Sequence, residues 1–210
     1  MHIPDGILTP AVWMSTAALS GIVLSRSVHY SNQKLARRTV PVMGAMAAFL
    51  FAAQMINFPL LGAAASGHLI GGALSAILFG FWPTTLIMTI VVFIQAFVFQ
   101  DGGITALGVN IFNMAILAPV VAVSIHKLFR AWKVPTSLSV FGAAWCSVVA
   151  VSLAGALQLA LSGVIPFTTA APALLIWHAL IGIGEGLITV AVLPYALRSS
   201  LMLERKEVLS

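Results

Sequence analysis

Apolar runs of membrane-crossing length constrain this chain more than any other feature. They occupy roughly residues 8–25, 39–57, 104–126, 136–162 and 173–197, each long enough as a helix to cross about 30 Å of hydrocarbon. Only 7% of the residues are charged and 60% are apolar, whereas a water-soluble domain carries about a quarter charged. Lipid must supply the missing solvent, and the sequence predicts an all-α integral membrane protein.

The stretch from His68 to Phe99 needs separate treatment. As one helix it would be about 48 Å long, too long for a single crossing, and "GFWPTT" interrupts it with Gly80 and Pro83 as breakers. The ten basic residues fall in three groups: Arg26, Lys34, Arg37 and Arg38; Lys127, Arg130 and Lys133; Arg198, Arg205 and Lys206. One undivided helix would give six crossings and place the first two groups on opposite sides, against the positive-inside rule. Helices at about 68–79 and 83–99 give seven crossings, all basic groups in the cytoplasm, the amino terminus outside and the carboxyl terminus inside.

The third helix is then only about 18 Å long. The rest of its crossing falls to "NFPLLGAAASG", residues 57–67, predicted as non-helical backbone, which is tolerated at depth only against protein or a polar cavity. His68 is expected at the start of the short helix, with Ser66 as its N-cap, projecting into a pocket that opens outward. No repeat or soluble domain interrupts the pattern. Residues 1–210 read as one membrane domain, with a tail at 1–7 and a helical bundle at 8–203. No basic stretch or cleavage signal precedes the first apolar run, so no signal peptide is expected. Met1 is expected to remain the first residue, since histidine at position 2 is too bulky for methionine removal. The single Cys146 lies in an apolar run, which excludes an internal disulfide or a thiolate cluster.

That terminus carries specific chemistry. The α-amine of Met1, the amide nitrogen of His2 and its imidazole Nδ1 can bind one cation through a five- and a six-membered chelate ring. Three nitrogens in one plane suit Ni²⁺ and Cu²⁺ above all. His68 is the best-placed source of a fourth. Pro4 and Gly6 shape a bend after the tail, where Asp5 is expected to cap the first helix or satisfy the bend, with support of an imidazole as the lesser alternative. Asn110, Asn113, His178 and Glu185 are further buried polar groups able to brace a metal pocket; Gln54, Asn57, Gln95 and Gln158 are expected to be buried as well, with no such role assigned. The asparagines share a helix face, as do His178 and Glu185, and most such groups simply join helices. Glu185 is the one acid expected at mid-membrane.

Other chemistries find no support. "GIGEG" at 182–186 sits inside a membrane helix with no strand before it, so its glycines read as helix packing. There is no G-x-x-x-x-G-K-[ST] loop for ATP, no H-E-x-x-H and no credible nucleophile–base pair. The net charge of +5 comes without a basic face for nucleic acid. No catalytic residue and no cofactor are expected.

Four segments, "MHIPDGIL" at 1–8, "SGHLIGGAL" at 66–74, "FQDGGITALGVNIFNMA" at 99–115 and "HALIGIGEGLIT" at 178–189, resemble the substrate-binding membrane subunits of cobalt and nickel energy-coupling-factor transporters, the CbiM/NikM family. The resemblance implies seven helices and a metal held by the terminal amine, the amide and imidazole of His2, and His68. It also implies a membrane coupling subunit, cytoplasmic ATPases, a small accessory membrane protein in many cases, and residence in a prokaryotic plasma membrane. ATP hydrolysis in those partners would tip this non-catalytic subunit to release Ni²⁺ or Co²⁺ inward. Ala17, Gly21 and Ser25 on the first helix could form a stripe for the coupling subunit or pack internally. The rival reading is a self-sufficient proton-coupled carrier or channel with Glu185 as its relay.

Overall fold

The computed structural model describes residues 2–37, 39–62 and 64–198. Among them are seven helices: α1 (Pro10–Lys34), α2 (Thr39–Gln54), α3 (Gly72–Phe79), α4 (Phe81–Val98), α5 (Leu107–Ala131), α6 (Thr136–Leu161) and α7 (Phe167–Arg198). Five are long and apolar enough to cross a membrane; α2 and α3 fall short. Large apolar side chains such as Phe93, Phe97, Leu157, Trp177, Leu180 and Leu187 face outward, whereas Ser20, Ser27, Gln54, Thr84, Gln95 and Asn113 are buried. That inversion of the soluble pattern is what a lipid solvent demands.

The expected break in the 68–99 stretch falls at Gly80. Its φ of +82° and ψ of 176° suit a residue without Cβ, and Pro83 sits in the first turn of α4, where no backbone donor is lost. The described residues of 57–67 are indeed non-helical. They form a small antiparallel hairpin, β1 (Phe58–Leu60) paired with β2 (Ala65–Gly67), with Phe58 opposite Gly67 and Leu60 opposite Ala65. The hairpin satisfies backbone groups that helices cannot, and it is the one departure from an all-α fold among the described residues.

Several boundaries differ from expectation. α1 runs nine residues past position 25, because its polar end finds protein partners: Ser27 Oγ donates to the Trp82 carbonyl, and Gln33 pairs with His29 one turn back. α3 begins at Gly72 rather than His68, with Gly71 as its N-cap, so Ser66 does not cap it. α7 starts at Phe167, before Pro172, which falls within its first two turns. A π-helical stretch at Phe112–Leu117 interrupts α5 just ahead of Pro119; nothing in the hydropathy pattern signals it. Of the basic residues, Arg38, Arg205 and Lys206 lie outside the described residues.

Thr9 donates its backbone N–H to Ser162 Oγ, Asp5 accepts from residues 104 and 105, and Asn57 donates to Asp101. These contacts gather the start of α1, the end of α2, the α4–α5 loop and the α6–α7 loop at one end of the bundle. The α1–α2 and α5–α6 connections, with Arg37 and Lys133 among their described residues, therefore lie at the other end.

Candidate metal centre

The site is assembled by the tail, the hairpin and the α4–α5 loop. Asn110, in the first turn of α5, grips Ile3 twice: its Oδ1 accepts the Ile3 N–H at 2.9 Å and its Nδ2 donates to the Ile3 carbonyl at 3.0 Å. The Gly103 N–H donates to the same carbonyl at 3.0 Å. A Cβ on Gly103 would lie 2.4 Å from the Asp5 nitrogen, so only glycine lets the tail lie this close. Asp5 accepts the N–H groups of Ile104 at 2.9 Å and Thr105 at 2.7 Å, and the Thr105 hydroxyl. That hydroxyl bond, more than any other contact, holds its carboxyl below the ordinary 3.8. Asp5 thus anchors the tail to the approach of α5; it caps neither α1 nor an imidazole.

This anchoring buries His2. Its ring stacks on that of His68, with centroids 4.7 Å apart, and both residues are 2% exposed. The amide N–H of His2 donates to Ser66 Oγ at 2.8 Å, so the amide nitrogen becomes available to an ion only when that proton leaves.

A chain of amides sets the His2 tautomer. Gln54 Nε2 donates to the carbonyl of Ile70, which can only accept; Gln54 Oε1 then accepts from Gln95 Nε2 at 3.0 Å, and Gln95 Oε1 faces His2 Nε2 at 3.1 Å. His2 Nε2 must therefore carry the hydrogen, leaving a lone pair on Nδ1. His68 Nδ1 donates to the Leu69 carbonyl at 2.7 Å, which leaves the lone pair on its Nε2. Both lone-pair nitrogens are buried without a hydrogen-bond partner. Burial pushes the His2 imidazole down to about 4, against the opposing bond from Gln95, so the ring is neutral, as a metal ligand must be.

The other expected groups divide. Glu185 accepts the N–H groups of Ile70 at 2.7 Å and Gly71 at 2.9 Å, bracing the segment that carries His68. His178 donates Nδ1–H to the Leu174 carbonyl at 2.8 Å, and its Nε2 lies near the Ser66 backbone without a well-formed bond; it stands behind the hairpin. Asn113 is not at the site: it exchanges two 2.8 Å hydrogen bonds with Gln158 and joins α5 to α6. Met1 lies outside the described residues. Among those described, no three His, Cys, Asp or Glu side chains converge on one point, so a metal here needs backbone or terminal nitrogens besides the two imidazoles.

Sequence reasoning missed Asp101, whose Oδ1 lies 3.4 Å from His2 Nδ1. Burial raises its carboxyl, opposed by the field of His68 and by the Asn57 bond. With His2 neutral, this contact is not an ion pair. The available signal was "DGG" at 101–103, an acid followed by the glycines against which the tail packs.

The chain is similar to a candidate metal transport protein of Haloquadratum walsbyi, 37% identical over 93% of this chain and 89% of that protein. A candidate fused nickel transport protein of Archaeoglobus fulgidus is 36% identical over 93% of this chain, which spans 65% of that protein's length. A crystal structure described as a truncated transition metal transporter superposes with a TM-score of 0.89 at 34% identity, over 94% of this chain and 98% of that one. The family model for the cobalt uptake substrate-specific transmembrane region matches residues 2–202, and the chain belongs to that family, CbiM.

Proposed function

We propose that this protein is the substrate-specific membrane component of an ATP-driven importer, capturing Ni²⁺ or Co²⁺ through the Met1 amine, the His2 amide nitrogen and Nδ1, and His68 Nε2. The observation that carries this reading is the stacked imidazole pair, each ring keeping a buried lone pair with no partner. A buried acceptor left unpaired costs roughly 1–3 kcal/mol, and a cation offsets that cost. The names of the relatives, nickel and metal transport, agree with it. A planar nitrogen set favours nickel, while the family description favours cobalt.

The energised partners are a membrane coupling subunit and cytoplasmic ATPases, with a small accessory membrane protein in some assemblies. α1 offers them a face: Gly21 has open space around it and Ser25 is exposed, although Ala17 is packed against Gly108 of α5. The membrane is a prokaryotic plasma membrane, crossed seven times with the terminus of the tail outside. The clustering of basic residues at the end remote from the site supports that orientation. A proton-coupled carrier using Glu185 fits less well, because both carboxylate oxygens are already engaged by backbone N–H groups.

The test is calorimetry with Ni²⁺ and Co²⁺ on the untagged protein, a variant with one glycine before Met1, and a protein acetylated at the α-amine. The extension keeps every side chain but breaks the five-membered ring. Affinity is expected to fall about a hundredfold or more in both, some 2.7 kcal/mol. Native affinity in either altered protein would remove the terminal chelate from the site.

A further inference from the structure

Asp101 has no place in the chelate, yet its Oδ1 stands 3.4 Å from His2 Nδ1. The amide chain from Ile70 gives that nitrogen a lone pair, and a carboxylate oxygen offers only lone pairs. Two acceptors therefore face each other with no hydrogen between them, in a pocket where the imidazole is 2% exposed. Repulsion of this kind is strong where water is scarce. A cation relieves it, and the spacing fits one: two donors each about 2.1 Å from a divalent ion are about 3.0 Å apart at a right angle and about 3.4 Å apart at a tetrahedral angle.

The carboxylate is held in this attitude from behind. Asn57 Nδ2 donates to Oδ2 at 2.6 Å, and the Asp101 N–H donates to the Gln95 carbonyl at 2.9 Å, leaving Oδ1 for the imidazole. The Asp101 side chain is also 18% exposed, so it meets bulk water and the buried nitrogen at once. The other two described carboxylates near the tail and hairpin are turned away, Asp5 to residues 104 and 105, Glu185 to Ile70 and Gly71.

We infer that Asp101 is the entry ligand of this transporter: its Oδ1 takes a divalent cation from bulk water and passes it to His2 Nδ1. This rests on the reading of His2 and His68 as the cargo site. An oxygen donor suits an ion that still carries water and exchanges it readily, whereas the nitrogen set suits the dehydrated ion. Closing the chelate also requires the His2 amide proton to leave, which is slow, so a carboxylate that detains the ion beside Nδ1 raises the frequency of successful capture. Its effect falls on the association rate, as expected of a charge at the mouth of a site.

Stopped-flow mixing of Ni²⁺ with the purified full chain tests this, using the native protein, Asp101→Asn and Asn57→Ala. The absorption spectrum of bound Ni²⁺ reports the final ligand set, and circular dichroism reports the fold. Asp101→Asn is expected to slow association about tenfold or more, with dissociation and the bound spectrum unchanged. Asn57→Ala keeps the carboxylate and its charge but loosens its aim, so it should slow association clearly less than Asp101→Asn. Added salt should slow the native protein more than Asp101→Asn. A native association rate in Asp101→Asn overturns the inference, as does equal slowing in Asn57→Ala, which would make the acid a structural partner only. A changed bound spectrum in Asp101→Asn also overturns it, since the carboxylate would then be a permanent ligand. If Asp101→Asn does not fold, Asp101→Ser gives the same comparison. If the native chain binds neither Ni²⁺ nor Co²⁺, the cargo-site reading itself fails, an outcome distinct from the others.

Discussion

At the site end of the bundle, Asn110, Gly103 and Asp5 fasten the tail through hydrogen bonds to backbone groups. By contrast, α6 and α7 run past each other with Trp145 against Gly182 and Phe141 against Gly186, and one polar link from Trp145 Nε1 to the Ala179 carbonyl at 3.1 Å. The first region spends its polar groups on positioning a few atoms. The second spends its small residues on close approach, as helices without a hydrophobic driving force between them must. Binding and stability should therefore be separable by mutation.

Gly186→Leu attacks the packed region. A Cβ at Gly186 would lie 2.5 Å from Phe141 Cδ2, and forcing a large side chain there should cost about 3 kcal/mol, the upper end of overpacking penalties. Thermal unfolding in detergent should show a lower midpoint, while calorimetry of the folded fraction gives native metal affinity. Loss of affinity at unchanged midpoint would mean that the two regions are coupled after all.

His68→Ala attacks the other region. It should weaken Ni²⁺ binding at least about tenfold, roughly 1.4 kcal/mol, and leave the unfolding midpoint close to native. His178→Ala is the control, since that ring stands behind the hairpin. Normal binding by His68→Ala together with loss in His178→Ala would transfer the fourth nitrogen to His178.

The two regions also differ in how far the sequence discloses them. Hydropathy marks which residues avoid water and so locates the apolar helices. The glycine and proline breakers together with the basic groups locate the break at Gly80 and the non-helical stretch before His68. Of the "GIGEG" glycines, Gly182 and Gly186 do pack while Gly184 faces open space. None of these signals says who partners whom. His2 meets Gln95 across 93 positions and Ile3 meets Asn110 across 107, distances at which no local pattern survives. His2 and His68 were legible because their chemistry is unusual where they stand. Asp101 was not, because an acid in a loop is unremarkable until an imidazole lone pair is found facing it. Asn113 misled for the converse reason: three residues from Asn110 on one helix, it turns to Gln158, with the π-helical stretch beginning between them.

The smallest expected effect is that of Asp5→Asn, which tests whether the tail is positioned by many weak bonds or by one. The carboxylate serves two N–H groups and a hydroxyl, but Asp5 is exposed and Asn110 and Gly103 hold Ile3 independently. Asparagine keeps one acceptor oxygen, so docking should weaken only a few-fold, within the roughly 1 kcal/mol of a typical hydrogen bond, with the same modest loss in Ni²⁺ affinity. The sign of the pH dependence follows from the direction of the shift. The docked carboxyl titrates below its ordinary 3.8, so its contribution is fully present above that value and is lost only as pH falls through the docked one. At neutral pH Asp5→Asn should therefore differ from the native protein by a constant few-fold, a gap that closes only in strong acid. Tail docking, followed by fluorescence of a probe at position 7, would read this. A loss as large as that of His68→Ala would show that Asp5, rather than the Asn110 clamp, sets where the proposed chelating residues lie.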